Sequence, residues 1–224
     1  MELPPFSIDQ LSKLVAANVP SSQLFEILSQ YEMDACLMSP GNGKSETEIG
    51  DSQLLSLFYS IFFFAHLLTK QIPEARALTK RMPEALRHQD PSLQNCLTLL
   101  RAVWQTNHAK VYEILRGISW LEALKPLVQR YESFFQNEAM VAVSTSYEAI
   151  RPATAATYVG LDPRAAAQGD STIVQRFTDC GWRWDSETQL LYPAPIPVPT
   201  TDKPISNGIR EAMAMLGSRG SRET

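Results

Sequence analysis

The chain's 224 residues are 44% hydrophobic, enough to bury a real core and suited to one or two domains. Its net charge of −4 excludes a global basic field that would draw it to nucleic acid or to an anionic membrane. Its three cysteines, Cys36, Cys96 and Cys180, are odd in number and far apart, and no CxxC occurs, which argues against a disulfide framework or a zinc site. They are expected to be reduced, mostly buried thiols of an intracellular protein.

MELPPFSIDQ has no basic region leading into an apolar core, so no secretory signal is expected there. Ile8, Leu11, Leu14 and Val15 are at helical spacing, and Ser21 or Ser22 suits the cap of a second helix carrying Leu24, Ile27 and Leu28. SPGNGKSETEIGDS, residues 39–52, reads as a polar loop, with Asp51 or Ser52 capping the helix that follows. That helix holds LLSLFYSIFFFAHLL, residues 54–68. The run falls short of the roughly 18 continuous apolar residues of a spanning helix, and a helix apolar on nearly every face belongs between other helices.

Pro73 and Pro83, each followed by glutamate, suit helix starts, and Lys80 and Arg81 favour the negative end of the first of these helices. Another helix covers Leu93 to Trp104, and a further one restarts after Asn107 as cap. Pro126 either kinks the segment after Gly117 or begins a new helix. Helices of about 9 to 19 residues joined by tight turns stack as an irregular helical-repeat array.

After about residue 136 the character changes. Ala139, Val143, Tyr147 and Ile150 are read along one face of a helix that must end before Pro152. ATAATYVG is a short helix closed by Gly160, and Asp162–Pro163 caps another start. Ile173, Val174, Phe177 and Cys180 face one way on a third helix that stops at Gly181. Trp182 and Trp184 alternate with Arg183, a turn takes Asp185 to Thr188, and Leu190 and Tyr192 alternate with Leu191. Three helices and a hairpin in this order make a winged helix. The simplest arrangement puts the sides bearing Trp182 and Trp184, and Leu190 and Tyr192, against Ile173 and Phe177, with Arg183 outward. A free backbone edge of that hairpin, around Trp182–Trp184 and Gln189–Tyr192, is the expected seam to a partner. PAPIPVPTTDKP follows as a semi-rigid linker. Beyond it Ile205, Ile209, Met213 and Leu216 form one stripe on a helix ended by Gly217, an element that implies docking.

The mainly α chain therefore divides into a helical array (1–135), a winged-helix subdomain (136–192), a proline-rich linker (193–204) and an assembly helix (205–217). GNGKS, residues 41–45, lacks the first glycine of a phosphate loop, because Met38 stands where it is needed. His66, His88 and His108 are isolated, with His66 assigned to a core or helix face and the other two to exposed turns. No GxSxG, HxH or HExxH occurs, so no catalytic, metal or cofactor residues are assigned. Residues 136–192 hold four basic side chains against seven acidic ones, and the helix that would enter a major groove offers Gln175 and Arg176 beside Asp179. A duplex-binding surface needs several phosphate-neutralising cations, which argues for protein contact instead.

The element order, with EARALTKRMP (74–83), VWQTNHAKVYEIL (103–115), SWLEALKPL (119–127), AVSTSYEAI (142–150), ATYVGLD (156–162) and DCGWRWDSETQLLYP (179–193), resembles the PCI family over roughly residues 52–193. That family supplies scaffold subunits of the proteasome lid, the COP-nine signalosome and translation initiation factor three, and these strings are most similar to its small signalosome members. The resemblance implies a non-catalytic scaffold of the cytoplasm and nucleus, needing no cofactor, in a complex that removes the Nedd modifier from cullin-RING ligases through another subunit's HxH-containing zinc motif. It implies partners among other PCI subunits, with winged helices joined edge to edge in a horseshoe, subunit three as neighbour at one end, and C-terminal helices in a shared bundle. Nucleic acid and membrane are not expected as partners. The alternatives are the equivalent small subunit of the lid or of the initiation factor, and a winged-helix nucleic-acid binder. AAAQGDST, residues 165–172, lengthens the passage into the third helix beyond the family's pattern, and Gly169 is expected to break it.

Overall fold

The structure, a computed structural model, describes residues 4–38 and 46–194. Its helices are α1 Ile8–Ala16, α2 Ser21–Leu37, α3 Glu46–Leu68, α4 Ile72–Arg81, α5 Glu84–Gln89, α6 Pro91–Trp104, α7 His108–Gly117, α8 Lys125–Ser146, α9 Pro152–Tyr158, α10 Pro163–Ala167 and α11 Ser171–Asp179, followed by strands β1 Arg183–Asp185 and β2 Leu190–Tyr192. Short polar caps start many of them: Asp90 accepts from the Leu93 amide at 2.9 Å, Asn107 from Lys110 at 3.1 Å and Asp170 from Thr172 at 2.8 Å. Prolines stand in the first turns of α4, α6, α8, α9 and α10, where a missing N–H costs nothing. Pro126 therefore begins α8 and kinks nothing. Helix α2 departs from the capping expectation: Pro20 holds its cap position, and the Ser21 hydroxyl accepts from Arg130 at 2.8 Å. Arg130 also donates to the Val19 carbonyl at 2.6 Å, so one guanidinium ties α8 to the α1–α2 turn.

Helix α3 is the axis of the first core. Every residue from Leu54 to Leu68 is buried, with α1, α2, α4, α6 and α8 packed around it. Over Gly50–Leu68 it is long and apolar enough to cross a membrane, but protein covers it. It starts at Glu46, so residues 46–50 are helix where a loop was expected, and Asp51 and Ser52 lie inside it instead of capping it. After Pro40 no proline stops the segment, and burial downstream outweighs the cost of about 1 kcal/mol that Gly50 brings to a helix interior. At 23 and 22 residues, α3 and α8 both exceed the expected lengths. Only Cys96 of the three thiols is buried, and burial pushes it up to about 12; Cys36 and Cys180 are exposed because they sit at helix ends outside the packed faces.

His66 sits within this core, its ring centroid 4.6 Å from Phe62 and 5.1 Å from Phe25. Nδ1 is 3.2 Å from Gln71 Oε1, and Nε2 is buried with no hydrogen-bond partner among the described residues. Desolvation lowers its pKa, so the native state holds it neutral. The unfolded chain takes up the proton at about pH 6.5, so below that pH the unfolded state binds more protons and stability falls as pH falls. The expected result is that urea-unfolding free energy drops between about pH 7.5 and about pH 5.5, and that His66→Gln flattens the drop. An unchanged slope in the variant would show that other groups carry it.

Helix α8 contributes Leu127, Val128 and Tyr131 to the first hydrophobic cluster and Val143 to a second, formed with Ile150, Ala155, Ala156, Val159, Ala166, Ile173, Phe177, Trp182 and Leu191. The helix stops at Ser146, so Tyr147 and Ile150 do not continue its face as expected. Pro152 disfavours helix just before it, and Arg151 is extended at φ −70°, ψ 140°. His108 is half-buried between Phe135 and Tyr158, at 5.3 and 5.0 Å, where exposure was expected. The last carbonyls of α9 and its exit, which have no helical partners, accept from the array. Tyr112 Oη donates to the Tyr158 oxygen at 3.3 Å, Gln136 Nε2 to Val159 at 2.8 Å and Arg116 Nη1 to Gly160 at 2.6 Å.

Candidate protein–protein interface

Helix α11 buries Ile173 and Phe177 and leaves Val174 half-buried and Cys180 exposed. Gly181, at φ +86°, reverses the chain into β1. The Trp182 indole stacks on Phe177 at 4.9 Å and 21°, and its Nε1 donates to Ser144 Oγ at 3.1 Å. Asp185 Oδ1 accepts from the amides of Glu187 and Thr188 at 2.9 and 3.4 Å, closing the turn and holding that carboxyl below its ordinary range. Gln189, exposed and at φ +51°, completes the reversal.

Antiparallel pairing sets Arg183 opposite Tyr192, Trp184 opposite Leu191 and Asp185 opposite Leu190. Directly opposed residues share a face, so the inner face is Trp182, Trp184 and Leu191. Leu191 is fully buried, and Trp184 packs on the same cluster. Leu190 and Tyr192 were expected on that face and are instead on the outer one, with Arg183 and Asp185. The four-residue loop 186–189 sets the register, so even positions of β1 meet odd positions of β2. The Arg183 guanidinium lies 4.4 Å over the Tyr192 ring, which makes it a neighbour of an aromatic face and Asp185.

Ile150 completes a three-stranded arrangement. Its N–H donates to the Leu191 oxygen at 2.8 Å and its carbonyl accepts from the Leu191 amide at 2.9 Å. The far side of β2 is thereby occupied. With both Leu191 groups directed at Ile150, the Trp184–Leu191 pair is the non-hydrogen-bonded pair of the hairpin. The N–H and C=O of Trp184 therefore point out of the sheet on the other side of β1. Among the described residues no strand pairs with the other side of β1, so β1 is the open edge, a short template for one further strand. Behind the turn, a cleft of about 320 Å³ lies between Trp184, Leu190, Arg151, Pro152, Ala166 and Gly169. The 165–172 segment builds one wall of it. Helix α10 ends at Ala167, Gly169 takes φ +79° and Asp170 caps α11.

On α11, Gln175 Nε2 reaches Asp179 Oδ1 at 3.3 Å, leaving Arg176 as the exposed cation of that face. Among the described residues no cluster of three metal-ligating side chains occurs. Ile205, Ile209, Met213 and Leu216, and linker residues 195–204, lie outside the described residues. Sequence reasoning missed Ile150 as a sheet member and Tyr112, Arg116 and Gln136 as the joint. For Ile150, the available signal was indirect: Pro152 biases Arg151 to extended backbone, so the helix had to end before it.

A family described as CSN8/PSMD8/EIF3K matches residues 53–202. A protein of Emericella nidulans named COP9 signalosome complex subunit 8 is 49% identical over 222 residues, 99% of this chain and 100% of that relative. Proteins of the same name from Dictyostelium discoideum and Danio rerio are 24% and 25% identical; they cover 85% and 64% of this chain, and 88% and 72% of their own lengths are matched.

Proposed function

Since the chain belongs to the CSN8/PSMD8/EIF3K family, we propose that it is a non-catalytic scaffold subunit of a COP9 signalosome and acts by protein–protein assembly. The observation that carries this is the 49% identity, over nearly the whole of both chains, to a protein named as subunit 8 of that complex. Its role is to place one winged helix beside another, subunit three being the proposed neighbour, in an assembly that removes the Nedd modifier from cullin-RING ligases. The open β1 edge supports this, because a strand added there would find the Trp184 N–H and C=O unpaired and a rigid apolar platform beneath. The stripe Ile205, Ile209, Met213 and Leu216 supports a second attachment, to a shared helical bundle. A place in the cytoplasm and nucleus goes with this reading.

The test is affinity purification of the tagged full-length chain from its own cells, beside a chain lacking residues 205–224. The full chain is expected to bring down the other signalosome subunits and cullin-deneddylating activity. The truncated chain is expected to recover several-fold less of both while unfolding at the same urea concentration. Recovery of ribosomal or proteasomal subunits instead would overturn the assignment, and equal recovery by the truncated chain would remove the second attachment.

A further inference from the structure

We propose that the cleft between α4 and α6 around Trp104 binds an acidic peptide segment of a partner protein, one that carries an aromatic or aliphatic side chain among its carboxylates. Trp104 ends α6 and is 52% exposed, a large apolar surface outside both cores. The Arg76 guanidinium from α4 lies 5.2 Å over its ring. Arg101 is exposed one turn earlier on α6, and with Leu97, Leu100 and Gln105 these residues line a cleft of about 430 Å³. Lys80, four residues after Arg76, is exposed on the same side of α4.

Charge identifies the occupant. Several cations elsewhere on the array are matched, among them Arg81 with Glu32, Arg116 with Glu132 and Lys110 with Glu113, at 2.7, 2.7 and 2.6 Å. Among the described residues no carboxylate lies within 4.0 Å of the charged nitrogens of Arg76, Lys80 or Arg101. No acidic residue lines the cleft. The chain's own undescribed stretches offer little to complement it, because residues 195–224 carry four basic side chains against three acidic, residues 39–45 carry Lys44 and no acid, and residues 1–3 carry the single acid Glu2. A nucleic acid is disfavoured as well. Three cations on a chain of net charge −4 make a small electrostatic footprint for a phosphate backbone. A peptide carboxylate can take a bidentate bond from Arg101 while an apolar side chain covers the indole, so the two halves of the cleft are used together. The proposal does not depend on which assembly holds the chain.

The experiment is fluorescence anisotropy with the full-length protein and a fluorescein-labelled peptide of alternating aspartate and glutamate around a central Phe–Leu pair. Saturable binding that weakens with salt is expected. Trp104→Ala, Arg101→Glu and Arg76→Glu should each weaken it at least about tenfold without altering the circular dichroism spectrum, since all three side chains are exposed. The same peptide with Asn and Gln for its acids should lose binding. No saturable binding, equal binding by the three variants or by the amide peptide, or tighter binding of an oligouridylate of equal length would each overturn the proposal.

Discussion

Trp182→Ala is expected to lower the unfolding free energy by about 3–5 kcal/mol, a large part of what a domain of this kind possesses. The indole is 2% exposed, stacks on Phe177 and donates to Ser144, itself buried at 6%. Truncation removes that stack, leaves a cavity between α8 and α11, and strands a buried hydroxyl. The neighbouring tryptophan is the internal control. Trp184 is half-buried at the sheet's edge, so Trp184→Ala should cost about 1–2 kcal/mol, as expected where solvent already reaches part of the side chain. Urea titration followed by circular dichroism would give both midpoints. Equal losses from the two substitutions would contradict the register in which Trp182 is core and Trp184 is rim.

Gly160→Ala should cost about 2–4 kcal/mol, although it adds one methyl group. The backbone there has φ +69°, a region that alanine avoids. The added Cβ would also stand 2.5 Å from Tyr112 Cγ and 2.6 and 2.7 Å from the two Cδ atoms. The ring sits against Phe135 and under Arg116, so it has little room to retreat. A double-mutant cycle separates the two causes. In a Tyr112→Ala background the steric part vanishes, and the cost of Gly160→Ala should shrink to about the 1–2 kcal/mol of the backbone alone. Strict additivity would mean that the Tyr112 ring does not obstruct the site.

The winged helix was readable in one dimension because its boundaries are local chemistry. Asp162 before Pro163 and the glycines at 160, 169 and 181 mark starts and stops by their own backbone preferences, whereas Asp170 as the cap of α11 came only from the structure. The sidedness of the hairpin was not readable that way. Each strand alternates, but which parity of β2 faces inward depends on the loop length between them, and Leu190, Leu191 and Tyr192 are all apolar enough for either choice. Ile150 escaped for a different reason: a bridge of one residue has no periodicity to detect. The start of α3 was missed because a polar, glycine-containing stretch reads as loop until a buried helix downstream extends it. Nothing in local sequence pairs Arg130 with Ser21 or Gln136 with Val159, more than a hundred and more than twenty positions apart respectively. The open edge is legible only once the Ile150 bridge is seen, since that bridge decides which strand remains unpaired.

The capture of the α9 carbonyls by Tyr112, Arg116 and Gln136 has a consequence for biosynthesis. All three donors belong to α7 and α8, which leave the ribosome before α9 does. Domains form from the N-terminal end as the chain emerges. The array can therefore stand complete and present a ready-made receptor for the α9 terminus, on which the second, smaller cluster assembles. Synthesis order and fold agree, and the β1 edge proposed to meet a partner is among the last of the described parts to be made, on a foundation already set.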